Sequence, residues 1–274
     1  MNVSKTEKTI HHIVLVIVAL LFVLPLIWML VASVDTNAIQ SLKIPDELTM
    51  ENYLSIIQDP AIVRSFGIGL LLSGGQSIIV VIIAVLAAYP LSRYRASYKK
   101  PFLYTILFLT SLPITAVIVP VFQLFLLLRF EDNLIAVMFF LIGSALPYAI
   151  WMMKNFMDSV PIELEESAWV DGASVATGLR KVVAPLMVPG MFTVLIFTYT
   201  GSWGNFFVPF ILLSSQDKMP ASVTIFQFFG NYGLIQYGRL AAFSVLYTMP
   251  VVILYYIAQR YMSAGFSFGG ATKG

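Results

Sequence analysis

Six long apolar segments constrain this 274-residue chain more than any other feature of its sequence. A helix that crosses the hydrocarbon core of a bilayer needs about 20 mostly apolar residues. Segments of that length lie at approximately Ile13–Val34, Phe66–Leu91, Phe102–Leu128, Leu134–Met153, Leu186–Leu212 and Leu240–Gln259. Hydrophobic residues make up 59% of the chain and charged residues 11%, whereas soluble domains have about 45–50% and 25%. The sequence therefore predicts an all-α polytopic membrane protein with six transmembrane helices.

Several function classes are disfavoured by what the sequence lacks. There are no cysteines, which removes disulfides, thiolate metal sites and cysteine nucleophiles. The glycine-rich phosphate loop G-x-x-x-x-G-K-[ST] and the zinc motif H-E-x-x-H do not occur. We expect a non-catalytic chain that holds no metal or cofactor of its own and binds no nucleic acid.

Two other membrane classes are alternatives that the composition disfavours. A secondary transporter driven by protons or sodium would need Asp, Glu or His within its spans, and none of the six segments contains one. A membrane enzyme would need clustered His, Asp or Cys at one interface, and the chain has two histidines and no cysteine.

Lysine and arginine are unevenly distributed between the segments that join the spans. The segments on one side of the membrane are 1–12, 92–101, 154–184 and 260–274. They carry eleven of the 16 basic residues, and the segments on the other side carry five. Because cytoplasmic segments are enriched in Lys and Arg, both termini are predicted to be cytoplasmic. We divide the chain into an N-terminal segment 1–12, a membrane domain 13–260 and a C-terminal tail 261–274.

The segment 154–184 is too long and too charged to be a simple connector, since helix–helix connections usually have two to eight residues. Pro161 is expected to begin a short helix, and Gly172 to end it in the left-handed conformation. Ser174 is expected to cap a second helix that carries Arg180. The pattern predicts a cytoplasmic helix–turn–helix that another protein binds. An amphipathic helix lying on the cytoplasmic leaflet is the alternative, although anionic lipid would repel its five acidic side chains.

This segment resembles the EAA loop of the permease subunits of ABC importers. The family pattern is E-A-A, three residues, G, nine residues and I-x-L-P. Here Glu166-Ser167-Ala168 is followed at the same spacings by Gly172 and by Val182-Val183-Ala184-Pro185. Other segments similar to the maltose-type carbohydrate subfamily are Tyr89–Arg93, Gly201–Asn205 and the tail Gly270–Gly274. In that subfamily the chain is similar to the smaller, six-span chain of two unlike permeases.

The resemblance implies a complex in a prokaryotic cell membrane. It implies the ABC type I importer permease fold, a heterodimer with a second permease, an extracellular solute-binding protein, and a cytoplasmic ATPase dimer that binds ATP and Mg. The residues that it places at the ATPase are Glu166, Ser167, Ala168, Asp171, Gly172 and Pro185 in the loop, and Lys273 and Gly274 in the tail. Glu166 would pair with an arginine of the ATPase.

The cargo implied by the resemblance is a carbohydrate, typically an oligosaccharide, and a polyol or a glycerol phosphate is the alternative. Aromatic and amide or hydroxyl side chains in the membrane are candidates for the pathway, namely Gln76, Tyr199, Ser202, Trp203 and Asn205. Trp and Tyr near the end of a span also form the interfacial belt, which stays an alternative role for two of them. A phosphate would favour cationic side chains along the pathway, and the six segments contain none.

Overall fold

The computed structural model describes residues 5–229 and 235–270, with side chains described for 7–229 and 235–262. Within those residues the chain is predominantly helical and contains no β-strand, although isolated bridges join Asp35 to Leu48 and Phe229 to Ile235. The predicted all-α class is confirmed.

The described helices range in length from four to 34 residues. In chain order they are α1 (Lys5–Ser33), α2 (Glu51–Ile57), α3 (Pro60–Arg93), α4 (Lys99–Thr110), α5 (Ile114–Leu128), α6 (Leu134–Asp158), α7 (Glu163–Val170), α8 (Val175–Gly178), α9 (Ala184–Trp203), α10 (Phe207–Leu212), α11 (Ala221–Thr224) and α12 (Tyr237–Gly270). Five helical stretches are long and apolar enough to cross a membrane, and the pair α4–α5 makes a sixth if it counts as one span. The six predicted spans agree with the larger of these two counts.

The third predicted span, Phe102–Leu128, is not one continuous helix, and this corrects the sequence prediction. Helices α4 and α5 meet at an angle of 94°. Pro113, which immediately precedes α5, has the extended backbone angles φ −69° and ψ 133°. Proline has no N–H to continue the helical ladder, so the helix breaks there. The pair is a broken span or a re-entrant loop.

Several predicted helix ends also differ from the structure. The fifth span, Leu186–Leu212, is interrupted because α9 ends at Trp203 and the short α10 follows. The side-chain oxygen of Asn205 accepts a hydrogen bond from the Val208 amide at 3.0 Å, which stabilises the start of α10. Helix α1 begins eight residues before the predicted position 13, and α12 continues to Gly270, through much of the predicted tail.

The chain divides into two compact units. The first contains the chain up to Val63 together with Thr224–Pro250. In this unit Asn52 closes the end of α1, because its Nδ2 donates to the backbone carbonyls of Ser33 and Asp35, both at 3.1 Å.

The second unit contains Arg64–Val223 and the chain from Val251, and it holds the largest core. Ala84, Ala88 and Met153 are fully buried where α3 and α6 contribute to that core. Helices α6 and α9 approach closely at Gly190, where an added Cβ would lie 2.6 Å from Cγ of Phe156. Small residues at such crossings let membrane helices pack closely.

Candidate functional site

The charged segment between α6 and α9 forms a tight helical turn. Helix α7 begins at Glu163, two residues after Pro161 and not at Pro161 as predicted. At its other end the Gly172 amide donates to the Trp169 carbonyl at 3.0 Å, and the Ala173 amide donates to the Ala168 carbonyl at 2.9 Å. This is the Schellman arrangement, which needs a left-handed residue. Gly172 has φ +85°, so the predicted turn is confirmed.

The second limb of the loop is continuous with the fifth span, and this corrects the prediction of a separate second helix. Ser174 caps α8 as predicted, because its hydroxyl accepts from the Thr177 amide at 3.3 Å. A π-helical turn, Leu179–Val183, then leads directly into α9. The Ala184 amide bonds to the Leu179 carbonyl, five residues back. A wide turn at this point accommodates Pro185, which cannot donate a backbone hydrogen bond and crowds the preceding turn.

Most of the residues predicted to bind the ATPase lie on a free surface of this loop. Glu166, Ser167, Asp171, Gly172 and Pro185 are exposed, and Ala168 is half-buried. Apolar side chains are exposed beside them. Val170 is 88% exposed, Val175 47% and Leu164 46%. A mixed acidic and apolar surface of this kind is a suitable contact for another protein.

One acidic side chain of the loop, Glu165, is fully buried, and this burial was not predicted from the sequence. Its Oε2 lies 2.9 Å from Nε of Arg93 at the end of α3, and its Oε1 accepts a hydrogen bond from the Tyr89 hydroxyl. Arg93 also donates from Nη2 to the Val160 carbonyl at 3.1 Å. The sequence signal for a buried ion pair was an arginine at the end of an apolar span, on the same predicted side of the membrane as a loop that contains two adjacent glutamates. Nothing in the sequence distinguishes which glutamate it meets.

A cavity of about 150 Å³ lies among α3, α6 and α9. Three of the five predicted pathway residues line it, namely Gln76, Ser202 and Asn205. Gln76 is 3% exposed and donates from Nε2 to the Leu141 carbonyl at 3.3 Å. Among the described residues, Gln76 Oε1 and Ser202 Oγ are buried without a hydrogen-bond partner. Polar atoms in that state are available to a hydroxylated molecule.

Three other polar residues line this cavity and were not predicted from the sequence, namely Ser144, Tyr148 and Thr198. Ser144 and Tyr148 are four residues apart in α6 and therefore share one face of that helix. That spacing was the signal that could have identified them.

The two remaining pathway candidates, Tyr199 and Trp203, do not line this cavity. Their rings stack with centroids 6.0 Å apart and an angle of 9° between the planes. The Trp203 ring packs against α3, where an added Cβ at Gly69 would lie 3.0 Å from it. Both side chains are buried, which places them in the packing between α3 and α9.

Known proteins similar to this chain include permease proteins of transport systems. The chain is 29% identical over 258 residues to the trehalose transport system permease protein SugB of Mycobacterium tuberculosis, covering 92% of each. It is 28% identical over 280 residues to the trehalose/maltose transport system permease protein MalG of Thermococcus litoralis, covering 98% of this chain and 99% of that protein.

The fold is similar to that of a chain in the crystal structure of a bacterial ABC transporter that imports the acidic polysaccharide alginate. The TM-score is 0.81 at 22% sequence identity, over 95% of this chain and 99% of that chain. The profile of the family described as binding-protein-dependent transport system inner membrane component matches residues 80–267, which include the turn at Gly172 and the cavity residues from Leu141 to Asn205. This chain therefore belongs to the family of binding-protein-dependent transport system inner membrane components.

Proposed function

We propose that this chain is a non-catalytic permease subunit of an ATP-driven importer for carbohydrate, typically an oligosaccharide. It forms the translocation pathway as a heterodimer with a second permease. It couples to a cytoplasmic ATPase dimer, which binds the ATP and Mg, through the segment 154–184. A solute-binding protein delivers the cargo from outside the cell membrane of a prokaryote, and both termini of the chain are cytoplasmic.

The observation that carries this proposal is the exposed turn between α7 and α8. The residues that match the family pattern, Glu166 and Gly172 among them, remain accessible while Glu165 is buried. The turn thus presents acidic and apolar side chains together on one accessible surface, which supports a role in binding another protein. Lys273 and Gly274 of the tail, which we also assign to the ATPase interface, lie outside the described residues.

The cargo assignment is supported by relatives and by the cavity. Similar proteins are named for transport of trehalose, of diacetylchitobiose and of trehalose with maltose. The described residues that line the cavity are uncharged and include amides and hydroxyls, which suits a neutral polyhydroxylated molecule better than a glycerol phosphate. A cavity of about 150 Å³ is smaller than the roughly 300–1,000 Å³ of a complete ligand pocket. We infer that the second permease completes the pathway.

The coupling assignment is tested by isolating the tagged chain from its host membrane. The wild-type chain should co-purify with a second permease and an ATPase. Glu166→Ala should release the ATPase and keep the permease partner, since loss of one member of a desolvated charge pair costs roughly 2–5 kcal/mol. Glu163→Ala, which changes an exposed glutamate of the same helix outside the matched positions, should retain it. Equal retention by both variants, or equal loss, would refute the assignment.

The cargo assignment is tested by uptake in a host strain from which this chain has been deleted. We would measure uptake of labelled trehalose, maltose, diacetylchitobiose and glycerol 3-phosphate before and after the chain is restored. The expected result is restored uptake of one of the three sugars. Restoration of glycerol phosphate uptake alone would favour the alternative cargo.

A further inference from the structure

We propose that Glu165, Arg93 and Tyr89 form a buried clamp that fixes the ATPase-binding turn to the end of α3, so that the turn and α3 move together. The inference rests on the proposed function, and it assigns positioning roles to residues outside the predicted docking set.

The clamp joins two helices, with Tyr89 and Arg93 on α3 and Glu165 on α7. The Glu165 carboxylate accepts from Arg93 Nε at 2.9 Å and from the Tyr89 hydroxyl, so both of its oxygens are held. The Arg93 guanidinium reaches the Val160 carbonyl as well, at 3.1 Å. Ser92 donates to Asp158 at 2.6 Å beside them. Four hydrogen bonds thus connect the last turn of α3 to the segment that leads into and begins α7.

The burial of the ion pair between Arg93 and Glu165 indicates that it orients α7 relative to α3. The Glu165 side chain is 0% exposed and that of Arg93 is 5% exposed. Buried ion pairs are often no more stabilising than well-packed apolar side chains of similar volume, so stability alone gives little reason for this one. A planar guanidinium that donates in two directions sets the angle between its partners, which a lysine cannot do.

Helix α3 connects this clamp to the cavity. It runs without a break from Pro60 to Arg93, and Gln76 lies 17 positions before Arg93. At 1.5 Å per residue that is about 25 Å along the helix. Gln76 lines the cavity and is bonded to the α6 backbone there. Pro90 lies within the last turn of α3, and Tyr89 holds the Glu165 carboxylate on the Gln76 side of it. A displacement of the turn by the ATPase would therefore be transmitted along one continuous helix to the pathway.

The test replaces both charges together, so that no unpaired charge remains buried. In the double variant Arg93→Met with Glu165→Met, the exposed docking residues are unchanged. We expect the ATPase to co-purify at the wild-type ratio. Uptake should fall about fivefold or more, and ATP hydrolysis should lose its response to the loaded binding protein, as when a coupling free energy between two sites is removed. The matched control changes the exposed neighbours, Arg95→Met with Glu163→Met, and should keep uptake.

A second experiment separates transmission from folding. Because the chain has no cysteines, Arg93→Cys with Glu165→Cys creates a unique thiol pair. Uptake should be low with free thiols and should recover when a two-carbon bismethanethiosulfonate joins them. Failure to recover, wild-type uptake in the methionine variant, or loss of the ATPase from it would each overturn the clamp. If the wild-type chain itself holds no ATPase, the proposed function fails instead.

Discussion

Gly172 gives the most direct test of the docking turn, because the effect of its backbone conformation can be separated from the effect of side-chain size. Its φ of +85° is one that side chains with a Cβ rarely adopt. A Cβ added there would meet no atom within 4 Å. Within the chain itself, a substitution therefore encounters backbone strain and no steric obstruction.

The expected magnitude follows from that strain. Placing alanine in a left-handed conformation costs about 1–2 kcal/mol, which corresponds to roughly a five- to thirtyfold shift in an equilibrium. The ratio of molecules in which the amides of Gly172 and Ala173 keep their Schellman hydrogen bonds to molecules that have lost them would decrease by the same factor. Asparagine tolerates the left-handed region, whereas a β-branched residue is strongly disfavoured there. We expect ATPase retention to decrease in the order glycine, asparagine, alanine, valine.

The assay is co-purification of the ATPase with each Gly172 variant at equal membrane expression, together with uptake. Insertion into the membrane should not change, since the residue lies outside the candidate spans. If alanine retained the ATPase better than asparagine, side-chain size at the interface would control binding, and the backbone argument would be refuted. Equal retention by all four residues would refute the turn's role altogether.

Three further predictions concern packing, the loop at Asp132 and topology. Gly190→Ala should destabilise the chain by about 1–3 kcal/mol, because its Cβ would overlap Phe156. A lower thermal midpoint in detergent, with a smaller decrease when the same change is made in a Phe156→Ala background, would verify this, and an unchanged midpoint would contradict it. Asp132 is bonded to Lys218 at 2.7 Å and to Ser215, and these bonds hold its pKa well below the usual range. A carboxyl group whose pKa is lower in the folded than in the unfolded chain stabilises the folded state at any pH above its unfolded pKa. The loss of stability caused by Asp132→Asn should therefore be largest at neutral pH. This difference should shrink progressively as the pH falls below about 4 towards the lowered pKa of Asp132, and a pH-independent difference would disprove the assignment. Finally, an impermeant thiol reagent applied to intact cells should label single cysteines at two of four positions, and the reverse pattern would invert the topology. The labelled positions are Gln58 and Ser215, and the unlabelled ones are Ser97 and Ser174.

The sequence by itself determined the class of the protein and the local geometry of its docking turn. Apolar segments of about 20 residues dictate spanning helices because backbone polar groups have no water to bond in a bilayer. The turn at Gly172 and the cap at Ser174 depend on interactions within a few residues, so residue type and spacing were sufficient to predict them.

Only the tertiary structure decided which of two adjacent glutamates is buried. Glu165 and Glu166 have the same chemistry, and the difference arises from Arg93, 72 positions away from Glu165 in the sequence. Distant neighbours likewise enclose Tyr199 and Trp203 between helices and bring Gln76 beside Ser202 at one cavity. Whether a residue is buried depends on which helix packs against it. The helical period in the sequence predicts which residues share one face of a helix, but it does not predict which other helix covers that face.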